Sequence, residues 1–312
     1  MARNKKPRKK KYAGPKTAQQ NNLEPKAIIE QANMSPEQIQ AEEVLFSLLE
    51  RKIEIPVESL IGGEENAGNG WRMLMECLAV GRSISLPACA VGSAKLTTNY
   101  VGAYAVYRKQ FKTMLADMEG VQEKLAKIAT ETLKITSIQY LTNSILDSGE
   151  KPSVISALMK YETTERARDV VNHGMDIVAG AGICKGPRNL IGNAYQAIPV
   201  GITVEGSNTL TRSLIIFGQG LNKSHPYIFG ILDSILNDDL IKFRKNFNSI
   251  FRHSLGLYLK SFKPRNDLQQ QITNFACLTN FVALKGGVLK REQMISGDMA
   301  DIFSNLYLAQ AV

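Results

Sequence analysis

In the stretch YQAIPVGITVEGSNTLTR, residues 195 to 212, the carboxylate of Glu205 closes an apolar run and stands beside a glycine. Held out of water, a carboxylate becomes a stronger base and can take a proton from a bound molecule. At a helix start it instead faces spare N–H groups and the positive end of the helix dipole, which needs no chemistry. The residues by themselves leave both roles open. Gly206 leaves room for a ligand where a Cβ would obstruct it. Arg108, in RKQF, can grip a pyrophosphate in a bidentate fork or serve as an ordinary helix-end cation. Gly180 and Gly182, in MDIVAGAGI, suit a tight cofactor turn or a plain helix C-cap. Arg82 and Arg212 read as structural, or as supporting the site residues from behind. Cys77, Cys89, Cys184 and Cys277 form no CxxC pair, and His173, His225 and His253 have no ligand spacing, so no metal site and no disulfide framework are expected.

These side chains must be positioned by helices. From Trp71 nearly to the end, apolar residues repeat every three or four positions. WRMLMECLAVGRSISL and LTTNYVGAYAVYRKQF predict one long helix or two in tandem, with Pro87 and Gly92 at the break. A second helix is expected over MEGVQEKLAKIATETLKITSIQYLTNSIL, ended by Asp147, Ser148 and Gly149. A third starts with Pro152 and ends in the glycines of AGAGICKG. A fourth begins at or just after Glu205 and covers NTLTRSLIIFGQG, and at least two more follow. Antiparallel packing of such helices makes an all-α bundle whose Met and Leu stripes form its core.

The 312 residues, 44% of them hydrophobic, suffice for one sizeable core or two modest domains. The net charge of +9 is concentrated in MARNKKPRKKKY, which carries seven Lys or Arg and no acid. A basic arm of this kind binds nucleic acid or anionic lipid without base specificity, or is a flexible end with no partner. No aromatic interleaving or base-reading motif accompanies it, so specific nucleic-acid recognition is not expected. Polar sequence follows where a signal peptide would need its apolar core, and no apolar run is long enough to span a membrane. Residues 1 to 34 are therefore expected to be a disordered basic tail and the protein to be cytoplasmic, with peripheral contact to the inner membrane open to the tail. Ser35, with Pro36 at the first helical position, predicts an amphipathic helix before the extended piece IEIPVESLIGGEENAGNGW.

From about Glu54 to Val312 the chain resembles the acyl-CoA dehydrogenases, specifically the large bacterial type of fatty-acid oxidation. Five motifs carry the resemblance in order: IGGEENAGNGWRMLMECLAVGR, GAYAVYRKQF, GEKPSVISALMKYETTERARD, MDIVAGAGI and AYQAIPVGITVEGSNTLTRSLIIFGQG. It implies a C-terminal four-helix bundle over residues 71–224, an additional helical region at 225–312, and at 35–70 a helix plus the remnant of a β-domain edge. It also implies FAD-dependent α,β-dehydrogenation of an acyl-CoA to the trans-2-enoyl-CoA in fatty-acid β-oxidation. Glu205 then matches the base that removes the α-proton, in a pattern shared with Gly206, Ser207 and Arg212. Arg108 and Phe111 match an element touching the FAD of a neighbouring subunit, and Gly180 and Gly182 the glycine turn of the cofactor site. An electron-transfer flavoprotein or quinone-linked acceptor and a homo-oligomer are implied as partners.

Two departures stand out. Asp176 and Ala179 replace a glutamine and a glycine of the family pattern, which places an acid near the expected pyrophosphate. The chain also resembles a fragment, lacking the N-terminal helical domain and middle β-domain that cover the flavin. A competing expectation is therefore an inactive helical module for oligomerisation or interaction, with an apolar face exposed.

Overall fold

The computed structural model describes residues 62–66, 69–150, 152–263 and 266–312. The chain divides into two compact units, Met1–Ala67 and Gly68–Val312. In the first, the described residues form one 3-10 turn, Glu64–Asn66, in which the Asn66 N–H donates to the Gly63 carbonyl at 3.1 Å. The expected basic tail, the helix from Ser35 and the extended piece as far as Ile61 and at 67–68 lie outside the described residues.

Among the described residues the second unit is helical apart from one small hairpin, in keeping with the all-α class expected from the periodicity. Helix α1 (Gly70–Tyr107) runs through Pro87 without a break. Its 38 residues span about 57 Å at about 1.5 Å per residue. Proline removes one intrahelical hydrogen bond and crowds the preceding turn. Packing offsets that cost, because Val91, Ala94, Val101 and Ala105 beyond it are buried. The chain then turns through β1 (Lys109–Gln110) and β2 (Thr113–Met114), paired antiparallel with Gln110 opposite Thr113. The two-residue loop between them, Phe111 and Lys112, has φ of 52° and 68°. Two positive φ values make the primed turn that suits the strand twist and normally selects Asn-Gly. With neither residue present, periodicity gave no warning of the hairpin.

Helix α2 (Glu119–Asp147) ends at Ser148, with Gly149 left-handed at φ 89°. Helix α3 (Ser153–Val178) is the central element. One face packs on α1 and α2 through Ala167, Val170, Val171 and Val178, which share a core with Ile128 and Ile135 of α2. Arg166 ties this face further, donating to Glu162 of its own helix at 2.7 Å and to Glu131 of α2. After α4 (Gly180–Ile183) comes α5 (Leu190–Thr203), which packs on α3 and α1 and includes the apolar run expected to approach Glu205. Its N-cap is Asn189, whose Oδ1 accepts from the Gly192 N–H at 2.8 Å.

A helical run follows the Glu205 turn: α6 (Asn208–Leu210), a π-helical stretch Thr211–Gln219, and α7 (Gly220–Ser224). Next come α8 (Ile228–Leu236), α9 (Leu240–Ser261), α10 (Asp267–Ala283) and α11 (Gln293–Ala311). The last of these returns to the bundle. Met299 and Ala300 of α11 join Ala157 and Leu158 of α3 and Ile215 to Phe217 of the π-helical stretch in a second core cluster. By contrast α9 contributes no buried residue, and Phe247, Phe251 and Leu259 are exposed along it.

Candidate functional site

Glu205 sits in a turn between two helices, at φ 54°, followed by Gly206 at φ 93°. A left-handed non-glycine residue costs about 1 kcal/mol or more and persists only where its surroundings over-determine it. Ser207, not Glu205, caps the following helix, since its Oγ accepts from the Leu210 N–H at 3.4 Å. The helix-cap role left open in the sequence therefore falls to Ser207. Glu205 is half-buried, and its Oε2 is buried with no hydrogen-bond partner among the described residues.

Around this carboxylate lies a polar cluster that sequence reading had passed over. Lys160, at 0% exposure, donates to the Gly206 carbonyl at 2.7 Å and to Asn208 Oδ1 at 2.6 Å. Arg82 of α1 is 5% exposed, and its Nε has no partner among the described residues. Burial lowers the pKa of the Arg82 guanidinium and the charge of Glu205 acts to raise it. Burial, then the charge of Arg82, pushes Lys160 down to about 8, with Glu165 and Glu205 acting the other way. In sequence it is one of three cations in KYETTERAR, and only the packing of α3 shows that it is buried. Arg212, by contrast, bridges to Asp301 and Asp298 of α11.

The other expected contacts lie on separate elements. Arg108 leaves α1 as its C-cap and is exposed, while Phe111 at the hairpin tip is 91% exposed. Gly180 and Gly182 form α4, after Ala179 at φ 52°. Beside them a cavity of about 700 Å³ is lined by Met175, Asp176, Gly182, Asn189 and Gln196, among others, but by none of Glu205, Arg108 or Phe111. Asp176 in that lining is paired: its carboxylate accepts from Lys124 of α2 at 2.9 Å. A second, more apolar cavity of about 1000 Å³ lies among α8, α9 and α10.

Two of the three histidines scattered in sequence come together where α7 ends beside α9. The rings of His225 and His253 lie 5.7 Å apart, and His225 bonds Asn280 at 3.0 Å. Burial lowers the pKa of His225. Among the described residues, no group of three or more His, Cys, Asp or Glu is placed to hold a metal ion. Nor is any described helix long and apolar enough to cross a membrane.

Two family models match the chain: the acyl-CoA dehydrogenase C-terminal domain over residues 68–218, and the bacterial-type acyl-CoA dehydrogenase C-terminal region over 264–312. A 3-(aryl)acrylate reductase of Clostridium sporogenes is 31% identical over 158 residues, 51% of this chain and 41% of that protein. A "Probable acyl-CoA dehydrogenase" of Bacillus subtilis is 24% identical over 85% of this chain and 46% of its own length. The chain thus spans under half the length of these relatives. A crystal structure of an acyl-CoA dehydrogenase complexed with FAD from Bacillus anthracis shares the fold, with a TM-score of 0.58 and 24% identity over 75% of this chain and 41% of that one. With two of the family's C-terminal models matching in order, and the bundle around α3 sharing the fold of a solved member, the chain belongs to the acyl-CoA dehydrogenase family, whose cofactor is FAD.

Proposed function

We propose that this chain supplies the proton-accepting part of an FAD-dependent acyl-CoA dehydrogenase, with Glu205 removing the α-proton of an acyl-CoA thioester. The observation that carries the reading is Oε2 of Glu205, buried and without a hydrogen-bond partner among the described residues, in a left-handed turn. A carboxylate serving only as a cap or an ion-pair member would have its oxygens engaged. Left unengaged and desolvated, it keeps a lone pair for a proton. Lys160 and Arg82 place positive charge near it, and its own charge acts on both of them.

The residues present fit a flavin dinucleotide at its edges. Arg108 offers an exposed guanidinium for pyrophosphate and Phe111 an exposed ring on the same hairpin. Gly180 and Gly182 allow close approach, and Lys124 neutralises the acid that would have repelled the phosphates. When bound, FAD accepts the hydride that leaves Cβ. Gly206 and Ser207, which follow Glu205 directly, are assigned to the cofactor edge in the same proposal. Oxidation of fatty acyl-CoA, transfer of electrons to a flavoprotein or quinone-linked acceptor, and a homo-oligomeric assembly belong to the same proposal. The reductase among the relatives makes an unsaturated acid derivative running in the reducing direction the alternative substrate class.

The test is an anaerobic absorbance spectrum of the chain with FAD before and after addition of acyl-CoA. Bleaching of bound flavin that disappears in Glu205→Gln, with FAD still bound, is the expected result. A glutamine variant that bleaches at the wild-type rate overturns the role of Glu205. A second reading, a helical module that works by association, is favoured by the exposed apolar side chains of α8 to α10. It predicts a flavin-free oligomer that gives no bleaching.

A further inference from the structure

A lysine buried to 0% exposure in the middle of a helix is a costly residue, because an ammonium taken out of water must be compensated by its contacts. Packing alone would be served better by methionine or leucine. The contacts of Lys160 say what the cost secures. Its Nζ donates to the Gly206 carbonyl at 2.7 Å and to Asn208 Oδ1 at 2.6 Å, atoms on either side of Ser207 and immediately after Glu205. Asn208, itself 4% exposed, is held in turn by α3: its Nδ2 donates to Thr164 Oγ1 at 2.9 Å and to Glu165 Oε1 at 2.8 Å. Thr211 Oγ1 adds a second, longer bond to the Gly206 carbonyl at 3.2 Å. The left-handed pair Glu205 and Gly206 is thus anchored to the central helix of the bundle through Lys160 directly and through Asn208 beside it.

We propose that Lys160 is a positioning residue for Glu205: its ammonium clamps the Gly206 carbonyl and Asn208, and so fixes the strained turn that aims the Glu205 carboxylate. The proposal rests on the reading of Glu205 as the proton acceptor. The charged groups facing Lys160 are Arg82 from α1, Glu165 from α3 and Glu205 from the turn itself. Burial and Arg82 place its titration close to pH 8, so loss of its proton weakens the clamp inside the working range of a soluble enzyme. A lysine that acts by charge and hydrogen bonding leaves two separate marks: rigidity in residues 204–212, and an inflection in rate against pH.

The test uses the full chain and the variants Lys160→Met, Asn208→Ala and Thr211→Val. In the FAD-free protein, amide hydrogen exchange of residues 204–212 should rise at least tenfold in Lys160→Met and less in Thr211→Val, while α1 and α2 keep their protection. In the FAD-loaded protein, the rate of flavin reduction by acyl-CoA should fall about a hundredfold in Lys160→Met with KM within twofold. The inflection near pH 8 should vanish there and persist in Thr211→Val. Unchanged exchange in 204–212 in Lys160→Met overturns the clamp, as does an inflection that survives the substitution. Should Lys160→Met lose protection throughout, Asn208→Ala decides: faster exchange confined to 204–212 supports the clamp, and wild-type exchange overturns it. A wild-type chain that never reduces flavin refutes the proton-acceptor reading, while the exchange experiment still decides whether Lys160 holds the turn.

Discussion

Arg212 grips both oxygens of Asp301, 89 residues further along the chain: Nε reaches Oδ1 at 2.8 Å and Nη2 reaches Oδ2 at 2.6 Å. This fork joins the helical run after the Glu205 turn to the last helix, α11. Gly297, one turn before Asp301, makes it possible, because a Cβ there would collide with the guanidinium. The C-terminal helix thereby braces the run that follows the candidate base, although the two are far apart in sequence.

Replacing Arg212 with methionine should lower stability by about 2 kcal/mol, since a bidentate, partly desolvated pair is lost and Asp301 is left unpaired. Urea unfolding measures it. Gly297→Ala should destabilise through the same contact, and in the Arg212→Met background most of that effect should disappear.

Lys160 gives stability a pH dependence of known sign. Its folded pKa, about 8, lies below the ordinary value of 10.5, so between these values the unfolded chain binds more protons. Stability attributable to this group therefore rises with pH from about 8 to 10.5 and is lost as pH falls through about 8. Unfolding midpoints of the wild type against Lys160→Met from pH 7 to 10 should show the slope in the first and its absence in the second.

At the hairpin tip, relief of strain can be separated from function. Lys112→Gly removes a left-handed side chain at φ 68° and should stabilise the fold by about 0.5 to 1 kcal/mol without changing FAD affinity. Phe111→Gly relieves the same kind of strain at φ 52° but removes a ring that is 91% exposed. Thermal unfolding should improve in both, and a flavin titration should weaken only in the second.

Serine at Phe247 and Phe251 should reduce self-association of the chain, because both rings are more than half exposed on a helix with no buried residue. Sedimentation velocity reads the change, and an unaltered distribution would place the contact elsewhere.

The long helices were legible because their signal is local. Apolar residues every three or four positions, a proline at the start of α3 and a glycine after α2 marked their extents within a few residues. Glu205, Gly180 and Gly182 stood out only through the company of neighbouring motifs, and their roles belong to the proposed function. The hairpin after α1 was not, since its turn holds phenylalanine and lysine where glycine or asparagine would announce it. Helix α5 was hidden by Pro199 and two glycines, residues that argue against a helix until packing on α3 outweighs them.

Sequence alone thus determined that the chain is helical, where its principal helices run, and that one glutamate ends an apolar run beside a glycine. Tertiary structure decided what that glutamate faces. Lys160 lies 46 residues from Gly206, Arg82 comes from another helix, and Asp301 reaches back 89 residues to Arg212. Periodicity reports which face of a helix turns inward, but a lysine on it reads as a solvated cation. Only the packing of α3 against the turn shows that its charge is buried and committed to two acceptors.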